Sequence, residues 1–282
     1  MEDPDLRPKL GLIISLQREP AGKIEKVKNL GFETCQVSCW DTSLYTKETA
    51  KKLKEALEEN GIVMTTLWAG FSGRHVWNFR DGPKMIGLVP PDKREKRVEE
   101  LKMASRFAEW VEVNSITTHV GFIPEDPNNP LYTSLIPLLS EIAEFLDDRG
   151  QSFWFETGQE TPITLLRTFE DVGAENLGVN FDPANLLMYG KANPVDALDI
   201  IGEYVRDVHA KDGEYPRSGY ELGKEKPLGE GRVNFPALLT KLRDLGYSGS
   251  LTIEREISGP QQIIDIKRGK RYLEKLIEKI YK

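Results

Sequence analysis

Cysteine is nearly absent: of 282 residues only Cys35 and Cys39 carry a thiol. They sit four apart in one apolar run and its exit, too close together to staple a fold. With no second Cys or His cluster beside them they do not form a structural zinc site either, so buried free thiols in a reducing cytoplasm are expected. No apolar run approaches the roughly 18 residues that a membrane span requires. The opening MEDPDLRPKLG has acids and prolines where a secretory signal needs a basic start and an apolar stretch, which points to a cytoplasmic protein with no membrane partner. Basic residues are outnumbered, 38 against 45 acidic, and the net charge of −7 repels polyphosphate, so no nucleic-acid partner is expected. A dinucleotide glycine fingerprint, linkers and low-complexity stretches are also missing.

What the chain does have is a regular alternation of short apolar runs with long amphipathic ones. Strands are predicted to start near Leu10, Phe32, Ile62, Ser115, Ser152, Leu177, Val205 and Ser250. Helices are predicted over Ala21 to Asn29, Lys47 to Asn60, Lys93 to Val113, Ser134 to Arg149, Pro162 to Val172, Pro194 to Tyr204, Pro236 to Leu245 and Pro260 to Tyr281. Prolines in first turns (Pro162, Pro194, Pro236, Pro260) and glycines just past helix ends (Gly31, Gly61, Gly150, Gly246) mark the boundaries. The mean strand-to-strand spacing of about 34 residues is that of a βα unit. Eight units imply an α/β fold of the closed (β/α)8 TIM barrel type, one domain over residues 1–282. Two connections, Ala69 to Asp92 and Lys211 to Asn234, are longer than the unit needs; both follow strand ends and are candidate lids or substrate walls. His75, inside the first, reads as a loop residue.

Barrel chemistry is built at the C-terminal ends of strands. Four ionisable residues end apolar runs there: Glu156 in SFWFE, Asp182 in LGVNFD, His209 in VRDVHA and Glu254 in SLTIE. They come from strands five to eight, neighbours around the ring, so three carboxylates and an imidazole converge. Like charges held together require a cation among them. One divalent metal ion fits, and oxygen-rich ligation with a single His and no thiolate favours Mn²⁺, Mg²⁺ or Co²⁺, with Zn²⁺ still open. The competing reading makes each acid a cap or salt-bridge partner, which is plausible for one residue and strained for four successive strand ends.

The segments FETG (155–158), NFDPANL (180–186), HAKDG (209–213), PLGEGRVNF (227–235) and TIERE (252–256) together resemble the xylose-isomerase-like barrel superfamily, in particular its sugar phosphate isomerase/epimerase branch. The resemblance runs from strand one to helix eight. It implies a single divalent metal held by Glu156, Asp182, His209 and Glu254, the four residues already chosen by strand-end position. It also implies that Glu156 and Glu254 are the catalytic acid and base, facing opposite sides of a substrate carbon next to a carbonyl, with proton transfer passing through a metal-stabilised enediolate. Either glutamate can start as base. The implied partner is a small sugar or polyol, and the resemblance suggests a homodimer or homotetramer.

Other residues are substrate-binding candidates, each with a plainer alternative. His119, ending strand four in TTHVG, is either a substrate contact or a hydrogen-bonded core histidine. Lys211 either neutralises substrate charge or is a solvated loop lysine. Asn185 stands three residues after Asp182, where related ketose epimerases carry a substrate-binding His, so their substrate does not transfer simply. Arg217 either clamps an anion or is exposed, and Trp40 and Trp68 either offer an apolar wall to a sugar C–H face or pack in the barrel. GEG at 229–231 reads as turn chemistry rather than a phosphate cradle. An inosose-type dehydratase on the same site is the runner-up, needing an acid such as His119 or Lys211 near the leaving hydroxyl. A noncatalytic sugar-binding barrel does not require two carboxylates facing one carbon. An endonuclease IV-like phosphodiesterase needs about five histidines for its zinc cluster, and the chain has 3.

Overall fold

Eight parallel strands close on themselves in a computed structural model that describes residues 7–281. The first six residues, on which part of the N-terminal reading rests, lie outside the described residues. The strands are β1 (Lys9–Ser15), β2 (Thr34–Cys39), β3 (Val63–Ala69), β4 (Ser115–Thr118), β5 (Ser152–Glu156), β6 (Leu177–Phe181), β7 (Val205–Ala210) and β8 (Ser250–Ile253). They follow one another around the ring in chain order, and β8 returns to β1 through the register Lys9↔Ser250 to Leu12↔Ile253. Strands covered on both faces should read as near-continuous apolar runs. Every residue of β4, β6 and β8 is indeed buried.

The helices carry the predicted punctuation. The Thr46 hydroxyl accepts from the Thr49 amide at 3.1 Å to start Lys47–Asn60, and Gly61 ends it in a left-handed conformation at φ 61°. Thr161 caps Pro162–Val172 in the same way, with proline in the first turn. Buried Leu53, Ala56 and Leu57 turn one face of Lys47–Asn60 to the barrel, so its charged run is the solvated side. Both cysteines are free and buried, and burial pushes the Cys35 thiol up to about 12, which makes it inert. No helix among the described residues is long and apolar enough to cross a membrane.

The departures from expectation are local. The third connection's helix spans Pro91–Val111, ending two residues early because Glu112 turns left-handed at φ 65°. Pro194–Ile201 tightens into a 3-10 turn at Gly202–Tyr204. Three short helices, Gly82–Met85, Pro130–Thr133 and Pro183–Met188, occupy stretches with no predicted helix, each too short for a period to register. The two long connections are partly ordered. In the first, Gly87 at φ 68° lets its backbone pass the loop after β4 so closely that a Cβ there would lie 1.9 Å from the Val120 oxygen. In the second, Asp212–Gly213 pairs antiparallel with Glu225–Lys226. The amides of Gly229, Gly231 and Val233 all donate to the Asp212 carboxylate at 3.0 Å, so the GEG turn cradles a side chain.

Candidate metal centre and active site

Four ligand atoms, one each from Glu156, Asp182, His209 and Glu254, lie within 4.8 Å of one another at the C-terminal mouth of the barrel. Glu156 is the last residue of β5, Asp182 follows β6, His209 lies near the end of β7 and Glu254 directly follows β8. Asp182 also caps Pro183–Met188, with Oδ1 accepting from the Asn185 amide at 2.8 Å. That cap leaves Oδ2 free to face the cluster. His209 Nδ1 stands 3.5 Å from Glu156 Oε1, 3.6 Å from Asp182 Oδ2 and 3.3 Å from Glu254 Oε2.

Buried polar atoms are normally hydrogen-bonded, yet Asp182 Oδ2 and His209 Nδ1 have no such partner. Three carboxylates and one ring nitrogen, two of the four atoms orphaned and all turned to one point, fit a divalent cation. Electrostatics agree. Burial would lower the His209 pKa, but Glu156 and Glu254 raise it well above its ordinary value. Burial would raise that of Glu254, but Lys211 and His209 hold it far below the carboxylate range. The cluster therefore attracts positive charge, whether a proton on Nδ1 or a metal in its place.

A second layer of amides orients these groups. His209 Nε2 lies 2.9 Å from Gln36 Oε1, Gln36 Nε2 donates to Asn180 Oδ1 at 3.0 Å, and Asn180 Nδ2 reaches Glu156 Oε2 at 3.4 Å. Gln36 Oε1 can only accept, so its contact calls for a proton on Nε2 and leaves the Nδ1 lone pair for the cluster, while Asn180 Nδ2 packs 3.0 Å from the same nitrogen. Glu156 also accepts from Trp68 Nε1 and, at 3.0 Å, from Asn185 Nδ2. His119 Nε2 is 3.3 Å from Glu156 Oε1, and its Nδ1 is 3.3 Å from the Glu156 main-chain oxygen.

Above the cluster opens a cavity of about 400 Å³ that Glu156 and Glu254 both line. One wall is aromatic: Trp40 lies 4.9 Å from Trp68 and 6.2 Å from Trp77 between ring centroids, and Trp77 lies 5.3 Å from His119. Across it stand Asn185, Met188, Tyr189 and Leu222, with Glu256 at the rim.

The structure thus gathers Glu156, Asp182, His209, Glu254, His119, Asn185, Trp40 and Trp68 at one mouth. Lys211 is not a solvated loop lysine: it is 1% exposed, donating to Glu254 Oε2 at 3.0 Å and to Asn185 Oδ1 at 3.3 Å, and ion-paired with Glu256 Oε1 at 3.0 Å and Asp182 Oδ2 at 3.5 Å. Arg217 is exposed in its loop and does not line the cavity. His75 stays in its loop but buttresses Trp40, ring centroids 4.5 Å apart. Sequence reasoning passed over Gln36, Asn180 and Glu256. Gln36 and Asn180 carried the signal used for the acids, a polar side chain inside an apolar run; Glu256, in an irregular segment, carried none.

Fold and site together define a (β/α)8 barrel with a carboxylate-rich, metal-competent mouth. Residues 24–276 match the xylose isomerase-like TIM barrel family, and the chain belongs to that family. A xylose isomerase domain protein from Planctomyces limnophilus superposes with a TM-score of 0.92 at 36% identity, over 97% of this chain and 99% of that one. A D-tagatose 3-epimerase-like protein superposes with a TM-score of 0.73 at 26% identity, over 96% and 99%. The D-psicose 3-epimerase of Agrobacterium fabrum is 23% identical over 82% of this chain and 77% of its own length.

Proposed function

We propose that the protein is a divalent-metal-dependent sugar isomerase or epimerase that moves a proton at a carbon next to a carbonyl, with Glu156 and Glu254 as its acid and base. The observation that carries this is the pairing of two glutamates, at the end of β5 and directly after β8, that border the cavity and also belong to the four-residue cluster. The similarity to epimerases adds support.

Glu156, Asp182, His209 and Glu254 are the ligands this reading assigns. A bound Mn²⁺, Mg²⁺ or Co²⁺ ion would act as a Lewis acid, polarising the substrate carbonyl and stabilising negative charge on its oxygens. The chain does the rest. One glutamate takes the proton from one side of the carbon and the other returns a proton from the opposite side. Trp68, Asn180 and Asn185 fix the Glu156 carboxylate, so it needs no reorganisation when the substrate arrives. Trp40 and Trp77 present apolar faces to the sugar's C–H groups and keep water from the reacting carbon. His119, bordering the cavity beside Glu156, is placed to protonate a departing hydroxyl, which keeps β-elimination as the second reading.

Metal analysis beside a deuterium wash-in assay tests both, using neutral ketoses, ketose phosphates and an inosose. Metal near one per chain, with exchange next to the carbonyl that Glu156→Gln and Glu254→Gln each reduce by about 10²–10⁴-fold, is the expected result. Water loss from the inosose would favour elimination. Absence of metal would overturn the assignment.

A further inference from the structure

We propose that Glu256 is a specificity-determining residue that accepts a hydroxyl of an uncharged polyol or keto-sugar and turns away phosphate esters. This rests on the function proposed above and narrows its substrate class. Among the described residues that line the cavity there is no arginine and no lysine, whereas Glu156, Glu254 and Glu256 all border it. Lys211, beside the cluster, is buried and engaged by Glu254, Asp182 and Glu256. With a divalent cation bound, that cation and the shared Lys211 ammonium bring three positive charges against the four carboxylates of Glu156, Asp182, Glu254 and Glu256, which leaves the mouth with a net charge of −1. An entering phosphate would meet the Glu256 carboxylate at a net negative mouth whose lining offers no arginine or lysine to receive it, and like charges brought together across a binding surface disfavour binding.

Glu256 is also built to hold a position. Its main-chain amide donates to both oxygens of Glu225 at 3.1 and 3.2 Å, and Lys211 fixes its Oε1 at 3.0 Å. Arg255, between the two glutamates, is tied elsewhere, to Glu225 at 2.7 Å and Asp265 at 2.9 Å. Oε2 of Glu256 accepts no hydrogen bond from the described residues, and its side chain is 55% exposed, open to the cavity. A carboxylate oxygen held at the rim and free to accept suits a sugar hydroxyl, and the charge-assisted bond is stronger than a neutral one.

The test uses metal-loaded full-length protein and the tryptophan fluorescence of the cavity wall, titrated with D-fructose, D-fructose 6-phosphate and inorganic phosphate, beside the exchange assay. D-Fructose should bind at least about tenfold more tightly than its phosphate ester. Glu256→Gln should narrow that ratio several-fold and raise KM for the neutral ketose with kcat little changed, whereas Glu256→Asp should keep the discrimination. A merely structural role would lower melting temperature without moving the ratio. Equal or tighter binding of the ester, a ratio unmoved by Glu256→Gln, or no binding of either sugar would overturn the proposal. Discrimination in binding without any isotope exchange would instead overturn the proposed function and leave the role of Glu256 standing. Should Glu256→Gln fail to fold, Glu256→Asp and the wild-type ratio still decide.

Discussion

His209 Nε2 and Gln36 Oε1 meet at 2.9 Å inside the barrel, joining β7 to β2 across the ring. Gln36 is fully buried, and its amide nitrogen is in turn held by Asn180. An imidazole whose Nε2–H is committed in this way offers Nδ1 as a ligand atom, and removing such an outer partner typically costs 10–100-fold in metal affinity.

Gln36→Met should therefore weaken Mn²⁺ binding by about 10–100-fold while leaving the fold intact, because methionine fills similar volume. Titration with a metal-buffered series, read against the circular dichroism of the same samples, measures it. Unchanged affinity would show that the tautomer is set by something other than Gln36.

Lys211 is the cationic partner inside the acid cluster. Lys211→Met leaves Glu254 and Asp182 without it, and breaking a buried pair on one side costs about 3–5 kcal/mol. The metal-free variant should melt well below the wild type, and saturating Mn²⁺ should close part of the gap by restoring positive charge to the same carboxylates. Calorimetry with and without metal checks this; a gap that metal does not narrow would place the lysine's role outside the cluster.

Glu160 follows β5 in a buried loop, and burial pushes its carboxyl up to about 7. An unfolded glutamate loses its proton near 4.5, so between about pH 4.5 and 7 the unfolded chain binds fewer protons than the folded one. Stability from this group is present at the acid end and declines as pH rises through that window. Glu160→Gln should flatten the decline without altering metal content. Chemical denaturation at half-unit pH steps provides the comparison, and parallel slopes for both proteins would refute the assignment.

Legibility differed by kind of feature. The strands β4 to β8 begin at the residues where their apolar runs begin, because burial on both faces leaves a continuous signal. Helices such as Ala21–Asn29, Lys47–Asn60 and Pro162–Val172 carried both period and caps. Pro183–Met188 did not, since six residues hold under two turns. The strand-end acids stood out because ionisable groups rarely end apolar runs without purpose. Lys211 showed no such mark: a lysine in HAKDG reads equally as a substrate contact or a solvated loop residue until the fold closes three carboxylates from two segments around it.

The order of strands and helices, the closed barrel they imply and the four residues at its strand ends were determined by the chain's local pattern, because periodicity, caps and polar interruptions are properties of neighbouring residues. The pairing of Gln36 with His209 and the enclosure of Lys211 were decided by tertiary structure alone. So was the meeting of Trp40 and Trp77 with Glu256 around one cavity. Each depends on segments from tens to more than two hundred residues apart, and only barrel closure brings such groups within the few ångströms over which hydrogen bonds and buried charges act.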